Sequence, residues 1–183
     1  MTNHIDLGTV LRKTLSASLY SNLVTRPTGA AVRTQIETLL ADTLATGRAL
    51  TVIDFSHVSM IDFSCADEII AKLLMSHDER NLESYFVFRG MTEDHWDAIE
   101  TVLERHGLAL VVERDNAVEL VGVLTTHERR AWDLLKKRGR VAPADMAEQR
   151  DEFDDMVCDA LEGLCRRRLI MRSNDMYVPL ELH

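Results

Sequence analysis

The chain has 183 residues, 46% of them hydrophobic, and a formal net charge of −9. This length accommodates one large domain, or a domain of ordinary size with a small one beside it, and the apolar fraction supports a sizeable core. Almost all of the acidic excess falls before residue 123. It disfavours a broad nucleic-acid surface there, because phosphate binding needs clustered Lys and Arg.

The cysteines and the apolar pattern bear on the compartment. Cys65, Cys158 and Cys165 are an odd number, and the first ten residues lack a basic segment followed by an apolar run. No apolar stretch approaches the roughly 18 residues of a membrane span. These features predict a cytoplasmic protein that does not enter a membrane. Its thiols are expected to be reduced and to pack as small hydrophobes.

The first two thirds of the chain alternate between helical and extended patterns. Residues 7–15 fit a short helix, and residues 19–25 fit an early strand. After these, helices are expected over 28–45, 64–77 and 92–106, and strands over 49–55, 84–89, 108–113 and 118–123. This order predicts an α/β layered domain over residues 1–123, with helices covering a mixed, largely parallel sheet.

The pattern changes at residue 124. Three helical segments, the last over residues 151–168, precede two short strands around the turn at Ser173-Asn174-Asp175. Three helices followed by a hairpin are the order of a winged helix. The sequence therefore predicts a small winged-helix-like domain over residues 124–183.

Residues 49–74 read ALTVIDFSHVSMIDFSCADEIIAKLL. The strand that ends in Asp-Phe-Ser, the apolar spacer and the following Ile-Asp-Phe-Ser resemble the central strand, loop and helix of STAS domains, the fold of anti-sigma-factor antagonists. Ala66-Asp67-Glu68-Ile69 and Thr25-Arg26 are similar to a STAS-like branch that carries Phe-Ala-Asp-Glu here. The resemblance covers about residues 19–122. It implies a non-enzymatic regulatory protein that docks a protein partner, such as a GHKL-type ATPase or kinase.

The loop and the helix start after the strand supply the candidate partner-binding residues, which are His57, Ser59, Asp62, Phe63, Ser64, Asp67 and Glu68. In antagonists the residue after the motif's Asp is a phosphorylated serine, whereas position 63 is Phe. Ser64 is the next hydroxyl, and it is either a phosphorylation site favoured by the helix N–H groups or a capping residue. Asp62 either caps the helix or presents its carboxylate to a partner. Asp67 and Glu68 are expected in a solvated first helical turn.

An enzymatic role would use the carboxylates of Asp62, Asp67 and Glu68, which can transfer protons or hold a divalent cation. No second polar cluster in the sequence completes such a set, and the histidines lack metal-ligand spacing. Glycine-rich phosphate loops and nucleophile motifs are also missing. The sequence therefore predicts neither an enzyme nor a cofactor or metal.

The alternative function is transcriptional regulation, with DNA bound by the winged-helix-like unit. The candidate nucleic-acid-binding residues are Lys136, Lys137, Arg138, Arg140, Arg166, Arg167, Arg168 and Arg172. The expected recognition helix, however, opens with Asp151, Glu152, Asp154 and Asp155, and recognition helices place their first residues at the DNA. The unit is therefore expected to act foremost as a protein adaptor or output module, and DNA is its second candidate partner.

Overall fold

The computed structural model describes residues 2–15, 22–44, 49–79, 83–149, 151 and 153–181. Its strands are β1 Thr2–Asp6, β2 Asn22–Leu23, β3 Ala49–Asp54, β4 Met60–Ile61, β5 Ser84–Arg89, β6 Ala109–Arg114, β7 Ala117–Gly122, β8 Met171–Ser173 and β9 Met176–Val178. Its helices are α1 Leu7–Leu15, α2 Arg26–Leu44, α3 Phe63–Ala66, α4 Lys72–Glu79, α5 Glu93–His106, α6 Thr126–Arg138, α7 Pro143–Glu148 and α8 Asp155–Arg166. A π-helical segment, Asp67–Ala71, joins α3 to α4. The parts of the predictions that fall on residues 16–21, 45 and 152 lie outside the described residues.

A five-stranded sheet in the order β1-β3-β5-β6-β7 forms the centre of the fold. The first four strands are parallel, and β7 pairs antiparallel with β6. The predicted α/β class with a mixed, largely parallel sheet is therefore confirmed. The edge strand β1 was not predicted. A two-stranded parallel sheet, β2 with β4, lies apart from it.

One face of the sheet packs against α1–α5. Because side chains alternate across a strand, Ile53, Phe86, Phe88, Leu110 and Val112 point to this face and are buried with the apolar side chains of the helices. We call this cluster the first core. Ten residues of the central strand–loop–helix segment belong to it, among them Phe55, Ile61 and Ile69.

The opposite face of the sheet packs against the last third of the chain. Leu50, Tyr85, Val87, Ala109 and Val111 point to this side and form one buried cluster with apolar residues of the C-terminal elements. These are Ala131, Trp132, Leu135, Val141, Phe153, Val157, Ala160, Leu161, Leu164, Leu169, Ile170, Tyr177 and Leu180. We call this cluster the second core. The central strands are thus buried on both faces, in accordance with their nearly continuous apolar sequences.

Two tight turns connect the antiparallel strands. Asp115 and Asn116 connect β6 to β7, and Asn174 and Asp175 connect β8 to β9, all with φ between 49° and 62°. Two successive residues with positive φ are typical of the two-residue turns whose twist matches a hairpin. The helices α6, α7 and α8 precede the β8–β9 hairpin, so the predicted order of three helices and a hairpin is confirmed.

Candidate partner-binding site

The predicted partner-binding residues divide into an exposed group and a buried group. His57 and Ser59 are exposed, and Asp62, Phe63 and Ser64 are half-buried. They belong to a loop over residues 56–64, which we call the docking loop. Asp67 and Glu68 are only 7% and 2% exposed. The docking loop follows the carboxyl end of β3, where parallel α/β sheets commonly place binding residues.

Asp62 is the N-cap of α3. Its Oδ1 accepts hydrogen bonds from the Cys65 backbone N–H at 2.8 Å and from the Ser64 hydroxyl at 2.9 Å, and its Oδ2 accepts one from the Thr25 N–H at 2.9 Å. Burial alone would raise the pKa of Asp62, but these hydrogen bonds hold it below its usual value. Of the two predicted roles, capping is confirmed. The same carboxylate also ties the start of α2 to the docking loop.

Thr25 has a φ of 74°, a left-handed conformation that is unfavourable for a β-branched residue. Several hydrogen bonds hold it in place, including one from the Gly29 N–H to its carbonyl oxygen at 3.1 Å. Its N–H donates to Asp62, and its carbonyl oxygen accepts from Cys65 Sγ at 3.0 Å. Burial raises the pKa of the Cys65 thiol to about 12, so this thiol stays protonated at neutral pH.

Ser64 is the second residue of α3, and it donates its hydroxyl hydrogen to the cap. The interpretation of Ser64 as the capping residue is therefore wrong, since Asp62 occupies that position. A phosphate on Ser64 would lie beside the Asp62 carboxylate, and the like charges would repel each other. Phosphorylation of Ser64 remains a prediction, and its expected effect is to loosen the start of the helix.

The expectation of a solvated first turn at Asp67 and Glu68 is wrong. Both carboxylates are buried in the π-helical segment and are paired with Nη1 of Arg26, which lies 2.9 Å from Asp67 Oδ2 and 2.8 Å from Glu68 Oε1. His106 Nε2 contacts Asp67 Oδ1 at 2.7 Å, and Lys72 forms an ion pair with Glu68. Burial opposes ionisation here, but these partners hold both pKa values below the usual range.

This pairing has a physical consequence for the site. Carboxylates that already accept hydrogen bonds from Arg26, Lys72 and His106 are held inside the protein, away from a docking partner. The same ion pairs fix α2 against the π-helical segment. The close approach of α2 to α3 and to the π-helical segment depends on Gly29, where an added Cβ would lie 2.8 Å from the Cys65 Cα and 3.0 Å from the Glu68 Cβ.

A second polar cluster lies at the carboxyl ends of the parallel strands, and the sequence interpretation missed it. Asp54 at the end of β3 accepts hydrogen bonds from Arg89 Nε at 2.8 Å and from the Ser56 N–H at 2.9 Å. His4 Nε2 lies 3.0 Å from Asp54 Oδ2, and Glu113 lies 3.7 Å from Arg89 Nη1. Since parallel strands end at one edge, the strand-ending positions of Asp54 and Arg89 were the signal that could have found it.

This cluster anchors the docking loop. The Phe55 N–H donates to the Arg89 carbonyl oxygen at 2.9 Å, immediately before the loop begins. Within the loop, His57 Nδ1 lies 3.3 Å from Asp6 Oδ1 at the end of β1. The loop is therefore fixed at its start by β1 and β5 and at its end by the Asp62 cap.

The predicted nucleic-acid-binding residues are largely engaged within the protein. Arg167 pairs with Glu128 at 2.8 Å, and Arg168 pairs with Asp78 at 3.2 Å. Arg172 lies 3.5 Å from Glu162 and stacks over the ring of Tyr177.

Two more of these residues stack on aromatic rings, Arg138 on Phe153 and Lys136 on Trp132. Lys137, Arg140 and Arg166 are exposed. Five of the eight predicted basic residues therefore already contact a carboxylate or an aromatic ring of the protein.

Three comparisons, with protein-family models, with curated proteins and with solved structures, find no significant match to this chain. None of the described helices is long and apolar enough to cross a membrane. Within the described ranges, no group of three or more His, Cys, Asp or Glu side chains is arranged to hold a metal ion.

Proposed function

We propose that this chain is a non-enzymatic regulatory protein that binds a protein partner through the docking loop. In this proposal residues 1–123 act as a STAS-like domain and residues 124–183 act as a winged-helix-like adaptor or output module in the cytoplasm. The supporting observation is that a loop anchored at both ends presents apolar side chains to solvent. Met60 is 45% exposed, and Phe63 is half-exposed beneath the guanidinium of Arg105.

A rigid loop suits partner binding because little conformational entropy is lost when it docks. The start of the loop is held by Asp54 and Arg89, and its end is held by Asp62. The apolar centre is flanked by the cationic group of Arg105, which is exposed and lies over the Phe63 ring, whereas Arg26 is already paired with Asp67 and Glu68. A partner with an apolar contact and an acidic rim fits this surface.

The protonation states support a binding role over acid–base or nucleophilic catalysis. Asp62, Asp67 and Glu68 all have lowered pKa values and occupied oxygens, whereas a general acid at neutral pH needs a raised pKa. Cys65 has a raised pKa and a hydrogen-bonded thiol, the opposite of an activated nucleophile. Asp62 instead holds the docking loop, and Asp67 and Glu68 fix α2 against the π-helical segment.

The partner class comes from the resemblance to STAS domains. A GHKL-type ATPase from the same organism is therefore the protein to test, by titration calorimetry with the purified full-length chain. We expect Met60→Glu to weaken binding at least about tenfold, as for a desolvated interface residue. Met156→Glu is the matched control, since Met156 is 53% exposed on α8, and it should bind as the unsubstituted chain does.

Equal affinity of the two variants, or no binding by the unsubstituted chain, would overturn this assignment. The same titration tests the proposed switch at Ser64. Ser64→Asp should bind more weakly than Ser64→Ala, because the added carboxylate repels Asp62 and loosens the helix start that ends the docking loop. Identical affinities would remove the switch.

DNA binding is the second candidate function, and the exposed positions of Lys137, Arg140 and Arg166 favour it. The start of α8 opposes it, because Asp155, Asp159 and other exposed carboxylates carry the charge of the phosphates.

A gel-shift assay at low salt with Lys137→Glu and Arg140→Glu separates the two functions. These residues are better choices than Arg138, which stacks on Phe153. Binding that these substitutions abolish would favour the DNA function, and binding that they leave unchanged would count against it.

A further inference from the structure

A cavity of about 100 Å³ lies between β5 and β6, at the end of the sheet opposite the docking loop. Its cause is visible in the strand pairing. The ladder between the two strands contains only Val87–Arg89 opposite Val111–Glu113. In the same region β5 stays paired with β3 from Ser84 onward, and β6 stays paired with β7 from Ala109 onward. The two strands therefore diverge at their amino-terminal halves.

The cavity is lined mainly by apolar side chains from both cores. Phe86 and Leu110 come from the first core, whereas Ala109, Val111 and Leu169 come from the second. Leu74 and Met75 of α4 also line it. An apolar lining of this kind disfavours ordered water, which needs two to four polar partners, and an engineered apolar cavity of about 150 Å³ binds benzene.

One polar group in the lining stands out. Ser84 is 2% exposed, and its Oγ has no hydrogen-bond partner among the described residues. Buried hydroxyl groups in folded proteins are almost always hydrogen-bonded. The lining also contains the buried imidazole of His77, whose Nδ1 contacts the Leu73 carbonyl oxygen at 2.9 Å. Among the described residues, Ser84 thus presents an unpartnered hydroxyl in a mainly apolar lining, and a few polar groups in such a pocket orient a small ligand.

The charged residues of the lining balance one another. Arg167 pairs with Glu128, and Arg168 pairs with Asp78 at the end of α4. Because each guanidinium already has a carboxylate partner, the site fits a neutral ligand better than an anion. The Arg168–Asp78 pair also joins the C-terminal elements to α4, so a ligand here contacts both parts of the chain.

We propose that this cavity binds a small neutral organic molecule that is apolar apart from one hydroxyl or carbonyl group, which forms a hydrogen bond with Ser84 Oγ. The volume suits a ligand of about four to six non-hydrogen atoms, because an enclosed cavity of about 150 Å³ holds the six of benzene and this cavity of about 100 Å³ is partly open. It fills the gap between the diverging strands and contacts Leu169 from the C-terminal elements. The site is independent of the docking loop, so failure of either assignment leaves the other standing.

The test uses the full-length protein, with cyclopentanol and its apolar isostere methylcyclopentane as probes, followed by the NMR signals of the leucine methyl groups. We expect saturable shifts for Leu74 and Leu110, with cyclopentanol bound more tightly than the isostere. Ser84→Ala should weaken the binding of cyclopentanol by about tenfold at most, the usual value of a neutral hydrogen bond. It should leave methylcyclopentane unaffected.

Two substitutions fill the cavity from different sides, Ala109→Leu from β6 and Leu74→Phe from α4. Each substitution should abolish the binding of both probes. If Ala109→Leu does not fold, Leu74→Phe provides the test. Ala144→Leu on the exposed surface of α7 is the control and should bind both probes. No saturable shift in the unsubstituted protein, or unchanged binding in a folded cavity-filling variant, would overturn the site. Unchanged cyclopentanol binding in Ser84→Ala would overturn the role of the hydroxyl.

Discussion

Replacement of Asp62 by alanine is the most direct test of how the docking loop is held. The substitution removes the acceptor of three hydrogen bonds, from Thr25, Ser64 and Cys65. Loss of an N-cap costs about 1 kcal/mol, and loss of a hydrogen bond to a charged group costs about 1.5–3 kcal/mol. Because Asp62 is half-buried, water replaces part of what is lost. We therefore expect the free energy of unfolding to fall by about 2–3 kcal/mol.

For a chain of this length, each kcal/mol corresponds to about 2–4 °C in Tm, so Asp62→Ala should lower Tm by roughly 4–12 °C. Thermal unfolding followed by circular dichroism at pH 7 measures this shift. Asp154→Ala is the matched control, because Asp154 also caps a helix and accepts from the Val157 N–H at 2.9 Å and from Arg130 Nη1 at 2.8 Å, but its side chain is 46% exposed, so water replaces more of what is lost. Asp154→Ala should therefore lower Tm by less than Asp62→Ala does.

The effect of Asp62→Ala should also depend on pH. The pKa of Asp62 in the folded state lies below the ordinary value of 3.8. The ionised carboxylate therefore stabilises the folded state at any pH above 3.8. The contribution is lost as the pH falls through the lowered folded-state pKa. The Tm difference between Asp62→Ala and the unsubstituted chain should therefore shrink below about pH 4. An equal loss in Asp154→Ala, or a difference that persists in acid, would refute the assigned role of Asp62.

Three further predictions concern the anchor, the thiols and the C-terminal elements. Burial opposes the ionisation of Asp54, but hydrogen bonds from Ser56 and Arg89 outweigh it and lower its pKa to about 2. Its contribution to stability, roughly 2 kcal/mol, should therefore be present above about pH 4 and lost toward pH 2. Asp54→Asn should flatten the curve of stability against pH across that window, and an unchanged curve would contradict this. Cys65 should resist alkylation at pH 8 in the folded protein and react only in urea, as mass spectrometry of labelled peptides would reveal; rapid native labelling would contradict its buried, protonated state. Residues 1–123 expressed alone should bind a hydrophobic dye and self-associate, because the sheet face that carries the second core loses its cover. A monodisperse fragment that does not bind the dye would show that the first core alone is enough for a stable fold.

The sequence predicted the elements with strong apolar periodicity. Strand β5 matches its predicted bounds, and α5 differs by a single residue at its start. Strand β1 was missed because Ile5 is its only fully buried side chain, so the segment carries no alternation that a pattern could detect. Its place in the sheet comes from backbone pairing with β3, and sequence patterns do not report such pairing.

The error at Asp67 and Glu68 has a different cause. Two acidic residues near a helix start are usually exposed, since they complement the helix dipole there. Their burial depends on Arg26, which lies about 40 residues earlier in the chain and approaches them only after α2 packs on the π-helical segment. Local composition cannot predict an ion-pair partner so distant in the sequence, although Thr25-Arg26 is itself part of the resemblance to STAS domains.

The apolar sequence of the central strands indicates that both faces of the sheet are covered, a conclusion the sequence interpretation did not draw. A run such as Tyr85-Phe86-Val87-Phe88 has no polar residue for a solvent-exposed face, so both sides of β5 must be covered. The helices between the strands supply one cover, and the C-terminal elements supply the other. The C-terminal elements are therefore bound to the sheet by its central strands. The central strands and the Arg168–Asp78 pair at the end of α4 are thus two connections between these elements and the side of the sheet that carries the docking loop. The β5–β6 ladder is the shortest in the parallel part of the sheet.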